Sequence, residues 1–278
     1  AAYPNWHFSN YAKEPPKPPV ILETIPAEGA SNVSLGQLII ITFDNSMDNT
    51  TFTYTCTPDP GSWNVTWNLN NTVVTLTHSS FDEMTLYTFD VTGCNDANGL
   101  AMVDGLVPNP WTFSTGDFTP PTANAGLDEF VNEGTTVMFN GSLSGDNVGI
   151  VNYTWTFFDA SNIILYGKKV NYTFNNPGFF VVTLNVTDGA GLWDIDTLNV
   201  TVFDITPPIA NAGNDQFVEV GTNVILNGSS SSDNVVIVNY TWTFFDGANI
   251  TLFGEIVNYT YNNVGFYVVM LNVTDSAG

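Results

Sequence analysis

The feature that most constrains the fold of this chain is an internal duplication. Residues 119–191 align without a gap on residues 206–278, and 51 of the 73 aligned positions are identical. The two copies are offset by 87 residues, which is too long for a solenoid repeat and fits one complete small β-sandwich domain. We therefore expect two copies of one domain in tandem.

Each copy has the sequence pattern of β-strands. In Val151–Phe157 (VNYTWTF) apolar residues alternate with polar ones, which gives a strand one buried face and one wet face. Glycine, asparagine, aspartate and proline mark turns at short intervals, and no segment carries a sustained apolar stripe of helical period. The sequence predicts an all-β chain of three consecutive immunoglobulin-like β-sandwich domains in a rod, with very little helix.

Paired prolines mark the domain boundaries. The motif D-x-T-P-P occurs at 117–121 and again at 204–208, and a proline-rich stretch covers 15–19. Adjacent prolines cannot donate backbone hydrogen bonds and hold the chain extended, so these stretches form short, stiff spacers. The predicted organisation is an extended N-terminal arm at 1–19, a first sandwich at 20–118, and the two copies at 119–205 and 206–278.

The two copies differ in their last strand. The first copy continues with an alternating stretch at 192–202 that is expected to complete its sandwich. The second copy, 206–278, contains no equivalent stretch, so we expect it to have an unpaired sheet edge and an open core. Two explanations stay open: the natural protein continues past Gly278, or a strand from another molecule fills the gap.

The charge balance excludes some partners. The chain has 27 acidic residues, four lysines and no arginine, and its formal net charge is -23. It has no basic footprint for nucleic acid, and no apolar run approaches the roughly 18 residues that span a bilayer. We expect neither a nucleic-acid partner nor a membrane span in this chain, and we expect its surface to attract divalent cations.

The sequons indicate an extracellular, glycosylated protein. The alternative is that asparagine and threonine are simply common in strands and turns, with duplication counting some sequons twice. The 14 candidate glycosylation sites are Asn32, Asn49, Asn64, Asn70, Asn140, Asn152, Asn171, Asn185, Asn199, Asn227, Asn239, Asn249, Asn258 and Asn272.

The two cysteines of the chain, Cys56 and Cys94, both lie in the first predicted domain. An even pair in a secreted domain favours one disulfide. The alternative is a pair of unpaired, buried thiols.

The chain contains no recognisable catalytic constellation, and we expect it not to be an enzyme. The two histidines, His7 and His78, are too isolated in sequence for a zinc site or a triad. The pair Asp194/Asp196 is interpreted as surface carboxylates on one solvated face of a strand. Trp155 and Trp242 fall on the apolar phase of their strands and are predicted core residues, which leaves Trp6, Trp63 and Trp67 as the candidates for stacking on a sugar.

Calcium is the predicted ligand, because aspartates follow the strands that end at the entry side of each repeat. Hard oxygen ligands gathered at a domain junction suit Ca²⁺. The alternative is that these aspartates only form turns. The candidate ligands are Asp117, Asp146 and Asp188, and, shifted by 87 residues, Asp204, Asp233 and Asp275.

Three pairs of motifs carry a family resemblance. They are W-T-F-F-D at 155–159 and 242–246, the runs from Y-T to D at 172–188 and 259–275, and A-N-A-G at 123–126 and 210–213. On these motifs the two copies resemble PKD (polycystic kidney disease) domains. Phe158 and Phe245 stand where the family motif has glycine, which implies a changed turn in the same fold.

The first predicted domain resembles a second family, the bacterial Ig-like domain of surface-layer proteins. The residues that carry the resemblance are Thr24–Ala30, Ile41–Asp48, Tyr87–Gly99 and Trp111–Gly116. Both resemblances imply non-catalytic extracellular modules of microbial surface proteins. We therefore predict a structural part of a cell-surface, surface-layer or filament protein whose partners are copies of itself, other surface proteins or glycans. The alternative is an adhesin or the carbohydrate-binding accessory region of a secreted hydrolase.

Overall fold

A computed structural model describes residues 15–277. The chain divides after Phe118 into two compact units. Within the described residues every regular element is a β-strand, and no helix there is long and apolar enough to cross a membrane. The predicted all-β, immunoglobulin-like fold class is thus confirmed. Most of the predicted arm at 1–19, with Trp6 and His7, lies outside the described residues.

The N-terminal unit is a sandwich of two four-stranded sheets, in the orders β1-β3-β6-β5 and β2-β8-β7-β4. Buried and half-buried residues alternate along β3 and β8, so each strand turns one face inward. The core between the sheets is rich in buried aromatic rings, among them Phe89 and Trp111. The strands are β1 Ile21–Ile25, β2 Ala30–Val33, β3 Ile39–Phe43, β4 Met47–Thr57, β5 Asn64–Trp67, β6 Val73–Thr77, β7 Leu86–Asp96 and β8 Trp111–Thr115.

The predicted Cys56–Cys94 disulfide is wrong, because both cysteines are free and buried. Cys56 lies on β4 and pairs with Phe89 of the neighbouring strand β7, whereas Cys94 lies five residues farther along β7. At about 3.4 Å per residue the register separates them by roughly 17 Å, well beyond the roughly 7 Å between Cα atoms that a disulfide tolerates. Burial raises the pKa of Cys56 to about 12 and that of Cys94 to about 11.

The first repeat contains a five-stranded sheet, β12-β11-β14-β15-β9, and a two-stranded sheet, β10-β13. Its core includes Trp155 and Phe174, both fully buried, and the last strand, β15, adds Leu198, Val200 and Val202. The predicted final strand therefore completes this sandwich. The strands are β9 Glu129–Asn132, β10 Thr135–Asn140, β11 Ile150–Asp159, β12 Ser161–Tyr166, β13 Lys169–Phe174, β14 Gly178–Asp188 and β15 Trp193–Phe203.

The second repeat has a three-stranded sheet, β18-β17-β20, and a two-stranded sheet, β16-β19. Through Ala277 it has no counterpart of β9 or β15. Its core is correspondingly open, with a groove of about 870 Å³ that reaches Trp242 and Tyr261. Residues 265–269, which correspond to the first half of β14, form no strand here. The strands are β16 Asn223–Asn227, β17 Asn239–Phe245, β18 Asn249–Phe253, β19 Ile256–Thr260 and β20 Met270–Thr274.

The sequence-based interpretation of Asp194 and Asp196 as solvated surface carboxylates is wrong, because both accept backbone hydrogen bonds. Asp194 accepts a hydrogen bond from the backbone N–H of Ala123 at 2.8 Å, and Asp196 accepts one from Ala125 at 2.8 Å. Both aspartates are half-buried. They tie the opening segment of the first repeat to its last strand, which is a long-range contact that strand alternation alone does not reveal.

Candidate metal centres of the repeats

Asp188 ends strand β14 and organises the turn into β15. Its Oδ1 accepts hydrogen bonds from the backbone N–H groups of Ala190 at 2.8 Å and Leu192 at 2.9 Å. The residue is only 2% exposed. Its other oxygen, Oδ2, is shielded from solvent and has no hydrogen-bond partner among residues 15–277. A buried carboxylate oxygen without a partner is costly, so this atom is a candidate ligand atom for a cation.

Asp146 supplies the second carboxylate of this site from the loop between β10 and β11. Its Oδ2 accepts hydrogen bonds from the backbone N–H groups of Val148 at 2.9 Å and Gly149 at 2.6 Å. Its Oδ1 is buried and lacks a hydrogen-bond partner in the described part of the chain. The structure brings a carboxylate oxygen of Asp146 within 4.8 Å of one of Asp188. The third predicted ligand, Asp117, belongs to the N-terminal unit, where it is buried, and its participation stays a prediction.

The second repeat brings all three of its predicted ligands together. Asp204, Asp233 and Asp275 each offer one carboxylate oxygen, and these oxygens lie within 4.8 Å of one another. We call this group the 204 cluster. Asp204 comes from the linker between the repeats, Asp233 from the loop between β16 and β17, and Asp275 from the end of β20.

Local turns orient the carboxylates of the 204 cluster. Asp204 Oδ1 accepts from the backbone N–H of Thr206 at 3.1 Å, and Asp233 Oδ2 accepts from Val235 at 3.1 Å. Asp275 Oδ1 accepts from Ala277 at 2.7 Å, as Asp188 does from Ala190. The remaining oxygens, Oδ2 of Asp204 and Oδ1 of Asp233, are buried with no hydrogen-bond partner within residues 15–277.

The N-terminal unit provides an internal comparison for these turns. Asp96 ends β7 and its Oδ1 accepts from the N–H groups of Asn98 and Leu100, both at 2.8 Å, in the manner of Asp188. Its Oδ2, however, accepts a hydrogen bond from Asn98 Nδ2 at 3.2 Å. The hydrogen bond from Leu100, together with those from Asn98 and Gly99, lowers the pKa of Asp96. The same turn can therefore satisfy both oxygens from within, whereas in the first repeat Oδ2 of Asp188 has no hydrogen-bond partner among residues 15–277.

The charge around the 204 cluster leaves its carboxylates uncompensated by the repeat itself. Residues 206–278 contain no lysine, arginine or histidine. Three carboxylates whose oxygens lie within 4.8 Å repel one another strongly when they are out of solvent. A cation is the simplest group that removes this repulsion and satisfies the remaining oxygens at once.

The other predicted sites are distributed as follows. Trp155 and Trp242 are core residues, as predicted, and their indole N–H groups donate to the carbonyls of Gly167 and Gly254 at 3.0 Å. The sugar-stacking candidates Trp63 and Trp67 are half-buried against the core of the N-terminal unit. All 14 sequon asparagines lie outside the core: Asn140, Asn185 and Asn199 are half-buried and the others are exposed.

One residue that matters for the 204 cluster was missed in the sequence. Glu133 follows β9 in the first repeat, and its carboxylate accepts from Ile205 N at 3.1 Å, Thr206 Oγ1 at 2.5 Å and Asn234 Nδ2 at 2.7 Å. The hydrogen bond from Thr206 first, and then that from Ile205, lowers the pKa of Glu133. The duplication gives no signal for it, because Val220 occupies the equivalent position in the second copy.

The family of the repeats is shown by a match to a family model. The model described as PKD domain matches residues 118–202 and 205–278, more than half of the chain. This chain belongs to the PKD domain family. A second model, described as Bacterial Ig-like domain, matches residues 15–115. The PKD and Ig-like domains are non-catalytic modules, typical of extracellular and cell-surface proteins.

Several curated proteins are similar in sequence to this chain. The human Dyslexia-associated protein KIAA0319 is 28% identical over 276 residues, covering 88% of this PKD chain and 25% of the relative. The Pre-pro-metalloprotease PrtV of Vibrio cholerae is 28% identical over 146 residues, covering 52% of this chain and 15% of the relative. The chain thus spans a quarter or less of the length of these relatives.

Among solved structures, the solution structure of the PKD domain from the KIAA 1837 protein is 21% identical to this chain. It covers 37% of this chain and 100% of that one, with a TM-score of 0.27. The structure of titin domains A168–A170 is 14% identical and covers 94% of each chain, with a TM-score of 0.32.

Proposed function

We propose that this chain is a non-catalytic structural segment of an extracellular surface-layer or filament protein, and that Ca²⁺ binds its repeats and stiffens it. The tandem of an Ig-like domain and two PKD domains supports an extracellular spacer. The observation that carries the calcium part is the set of buried carboxylate oxygens without hydrogen-bond partners in the described chain, on Asp146, Asp188, Asp204 and Asp233.

The geometry of the 204 cluster suits Ca²⁺ in particular. Calcium binds carboxylate oxygens at about 2.3–2.6 Å, so two oxygens on one ion lie at most about 5 Å apart. The three oxygens of the cluster lie within 4.8 Å of one another. Mg²⁺ demands shorter bonds and near-ideal octahedral geometry, which loop carboxylates with backbone-fixed orientations supply less readily.

The mechanical role follows from where the ligands lie in the chain. Asp204 is in the linker, whereas Asp233 and Asp275 lie at the end of the second repeat that the linker enters. An ion shared by the three cross-links the linker to the body of the repeat and removes conformational freedom from the joint. A surface spacer built this way is stiff where calcium is plentiful and flexible after chelation.

Calorimetric titration with Ca²⁺, together with thermal unfolding in Ca²⁺ and in EDTA, tests this proposal. We expect saturable binding and a midpoint of unfolding that rises with calcium, since a ligand of the folded state stabilises it by mass action. Asp233→Asn is expected to remove binding at the 204 cluster. Asp215→Asn, which removes an exposed aspartate outside the cluster, is the charge-matched control. Absence of binding in the unsubstituted protein would contradict the calcium proposal.

The surface role has its own test. Electron microscopy of the native material is expected to show a lattice or filaments, and small-angle scattering of the chain is expected to give the profile of a rod. Free particles with a compact profile would argue against a structural assembly.

Glycosylation is part of the proposal, because none of the sequon asparagines is in the core. We expect glycans chiefly on exposed strand positions such as Asn152 and Asn239, each of which donates a hydrogen bond to the threonine of its own sequon. Intact-mass spectrometry of native material is expected to exceed the polypeptide mass of 30.2 kDa. A measured mass equal to that of the bare polypeptide would contradict the proposed glycosylation.

An adhesive or carbohydrate-binding role is the second candidate. Large aromatic side chains stand on the outer face of the five-stranded sheet, with Phe179 at 65% and Trp193 at 60% exposure, and such faces are common binding surfaces. The metalloprotease relative shows that a similar stretch occurs in a protein named as an enzyme. Saturable binding on a glycan array, lost in Trp193→Ala, is the expected result for this role.

A further inference from the structure

The joint between the repeats is held from the side of the first repeat by Glu133. Its Oε1 accepts from Ile205 N and Thr206 Oγ1, which directly follow Asp204, and its Oε2 accepts from Asn234 Nδ2, which directly follows Asp233. The carboxylate thus contacts two of the three segments that carry ligands of the 204 cluster. All three hydrogen bonds run between the first repeat and residues of the linker or the second repeat.

We propose that Glu133 is a positioning residue of the 204 cluster and couples cation binding there to the docking of the first repeat on the second. The proposal rests on the proposed function, since it requires that the cluster binds a cation. Glu133 is not a ligand in this proposal: it holds the residues that follow Asp204 and Asp233 in the geometry that the cation needs.

The chemistry of a carboxylate explains why this position acts as a clamp. An ionised glutamate is an acceptor only, with two oxygens that can serve separate donors, and charge-assisted hydrogen bonds are stronger than neutral ones. Here the three donors come from three residues on two different segments. Partners that orient metal ligands in this way typically change affinity 10- to 100-fold when they are removed.

The coupling runs in both directions. If Glu133 raises the affinity of the cluster for a cation, a bound cation must strengthen the docking of the first repeat by the same factor. A cation bound at the cluster then also stabilises the contact between the second repeat and the first. The second copy has Val220 at the equivalent position, and its side chain has no acceptor for such hydrogen bonds.

The test is the Ca²⁺ affinity of the 204 cluster in the full chain, measured by calorimetry in an Asp146→Asn/Asp188→Asn background that removes the other site. We expect Glu133→Ala to weaken binding about 10-fold or more. Glu133→Gln retains one acceptor oxygen for Ile205 and Thr206 but loses the acceptor for Asn234, and is expected to be intermediate. Glu219→Ala removes an exposed carboxylate of the second repeat and controls for net charge; it should bind as the parent does.

A second readout separates positioning from a purely structural role. Spin labels at Ser161→Cys and Ala248→Cys, which are exposed equivalent positions of the two repeats, report the distance between the repeats. Calcium is expected to narrow the distance distribution in the parent and to have little effect in Glu133→Ala. Parent affinity in Glu133→Ala, or lower thermal stability with unchanged affinity, would overturn the inference while leaving the calcium proposal intact. No binding by the parent would overturn both.

Discussion

The two repeats have nearly the same sequence and different structures. In the first, strand β14 runs for 11 residues and pairs with β15, which also pairs with β9. In the second, the equivalent strand β20 has five residues, and the stretch equivalent to β9 forms no strand. Ala125 is 1% exposed in the first repeat, whereas its counterpart Ala212 is exposed.

The two repeats differ because residues 178–188 have the partner strand β15, and not because their local strand propensity differs. Residues 265–275 are mostly identical to 178–188, yet half of the strand does not form without a neighbour to accept its hydrogen bonds. β15 contributes both a ladder and apolar side chains, and through Asp194 and Asp196 it also fixes the opening segment. Sheet structure here is decided by pairing over long sequence separation.

Supplying a partner strand for residues 265–275 is expected to have the largest effect on the difference between the repeats. Appending a copy of Leu192–Asp204 after Gly278 should let the second repeat form the longer strand and close its groove, because residues 265–275 are identical to residues 178–188 at nine of 11 positions. We expect the second repeat to gain a cooperative unfolding transition and slow amide exchange across 265–275. The same graft with aspartate in place of the residues that copy Val200 and Val202, both buried in β15, should restore neither.

Removing one carboxylate of β15 should loosen the opening segment of the first repeat and make it more like the exposed opening segment of the second. Asp196→Ala leaves the N–H of buried Ala125 without its acceptor, which costs about 1–3 kcal/mol of the free energy of unfolding. Hydrogen exchange should rise at Ala125 and its neighbours while β11 stays protected. Asp215→Ala, an exposed aspartate of the second repeat, is the control. Unchanged exchange at Ala125 would show that the hydrogen bond does not hold the segment.

A hydrogen bond common to both repeats tests whether their shared parts are energetically alike. Tyr172 donates to Asp159 at 2.9 Å and Tyr259 donates to Asp246 at 3.0 Å. Each of Tyr172→Phe and Tyr259→Phe is expected to cost about 1 kcal/mol, measured by denaturant unfolding. A markedly smaller cost at Tyr259 would mean that the open groove also loosens the side of the repeat that has all its strands.

Thiol labelling should show that equivalent core positions are less protected in the second repeat than in the first, with almost no change in stability. Burial raises the pKa of Cys56 to about 12 and of Cys94 to about 11, so both stay protonated and unreactive at pH 8 and give a silent background. Val182→Cys is expected to be protected, since Val182 is fully buried, and Val269→Cys, in the open groove, to react faster.

Mass spectrometry after alkylation gives the rates in the native state. After denaturation without reductant, both native thiols should label, as free cysteines require. Rapid native labelling of Cys56 or Cys94 would contradict their burial, and a failure to label after denaturation would restore the disulfide.

The sequence determined the fold class and the place of the candidate site. Period-two alternation of β-branched and aromatic residues is a local signal that predicts strands, and the duplication presents it twice. The sandwich architecture and the burial of Trp155 and Trp242 could therefore be predicted. The grouping of Asp204, Asp233 and Asp275 could also be predicted, because loops that follow defined strands of a sandwich meet at one end.

The tertiary structure alone decided the contacts that depend on register and on partners far away in sequence. The register of β4 against β7 separates Cys56 from Cys94, although an even cysteine count suggested a bond. Asp196 and Glu133 acquired their roles from backbone groups 71 and 72 residues away in the chain. The sequence does not distinguish a carboxylate that faces water from one that accepts a hydrogen bond from a distant N–H group. Only folding brings that donor to the carboxylate.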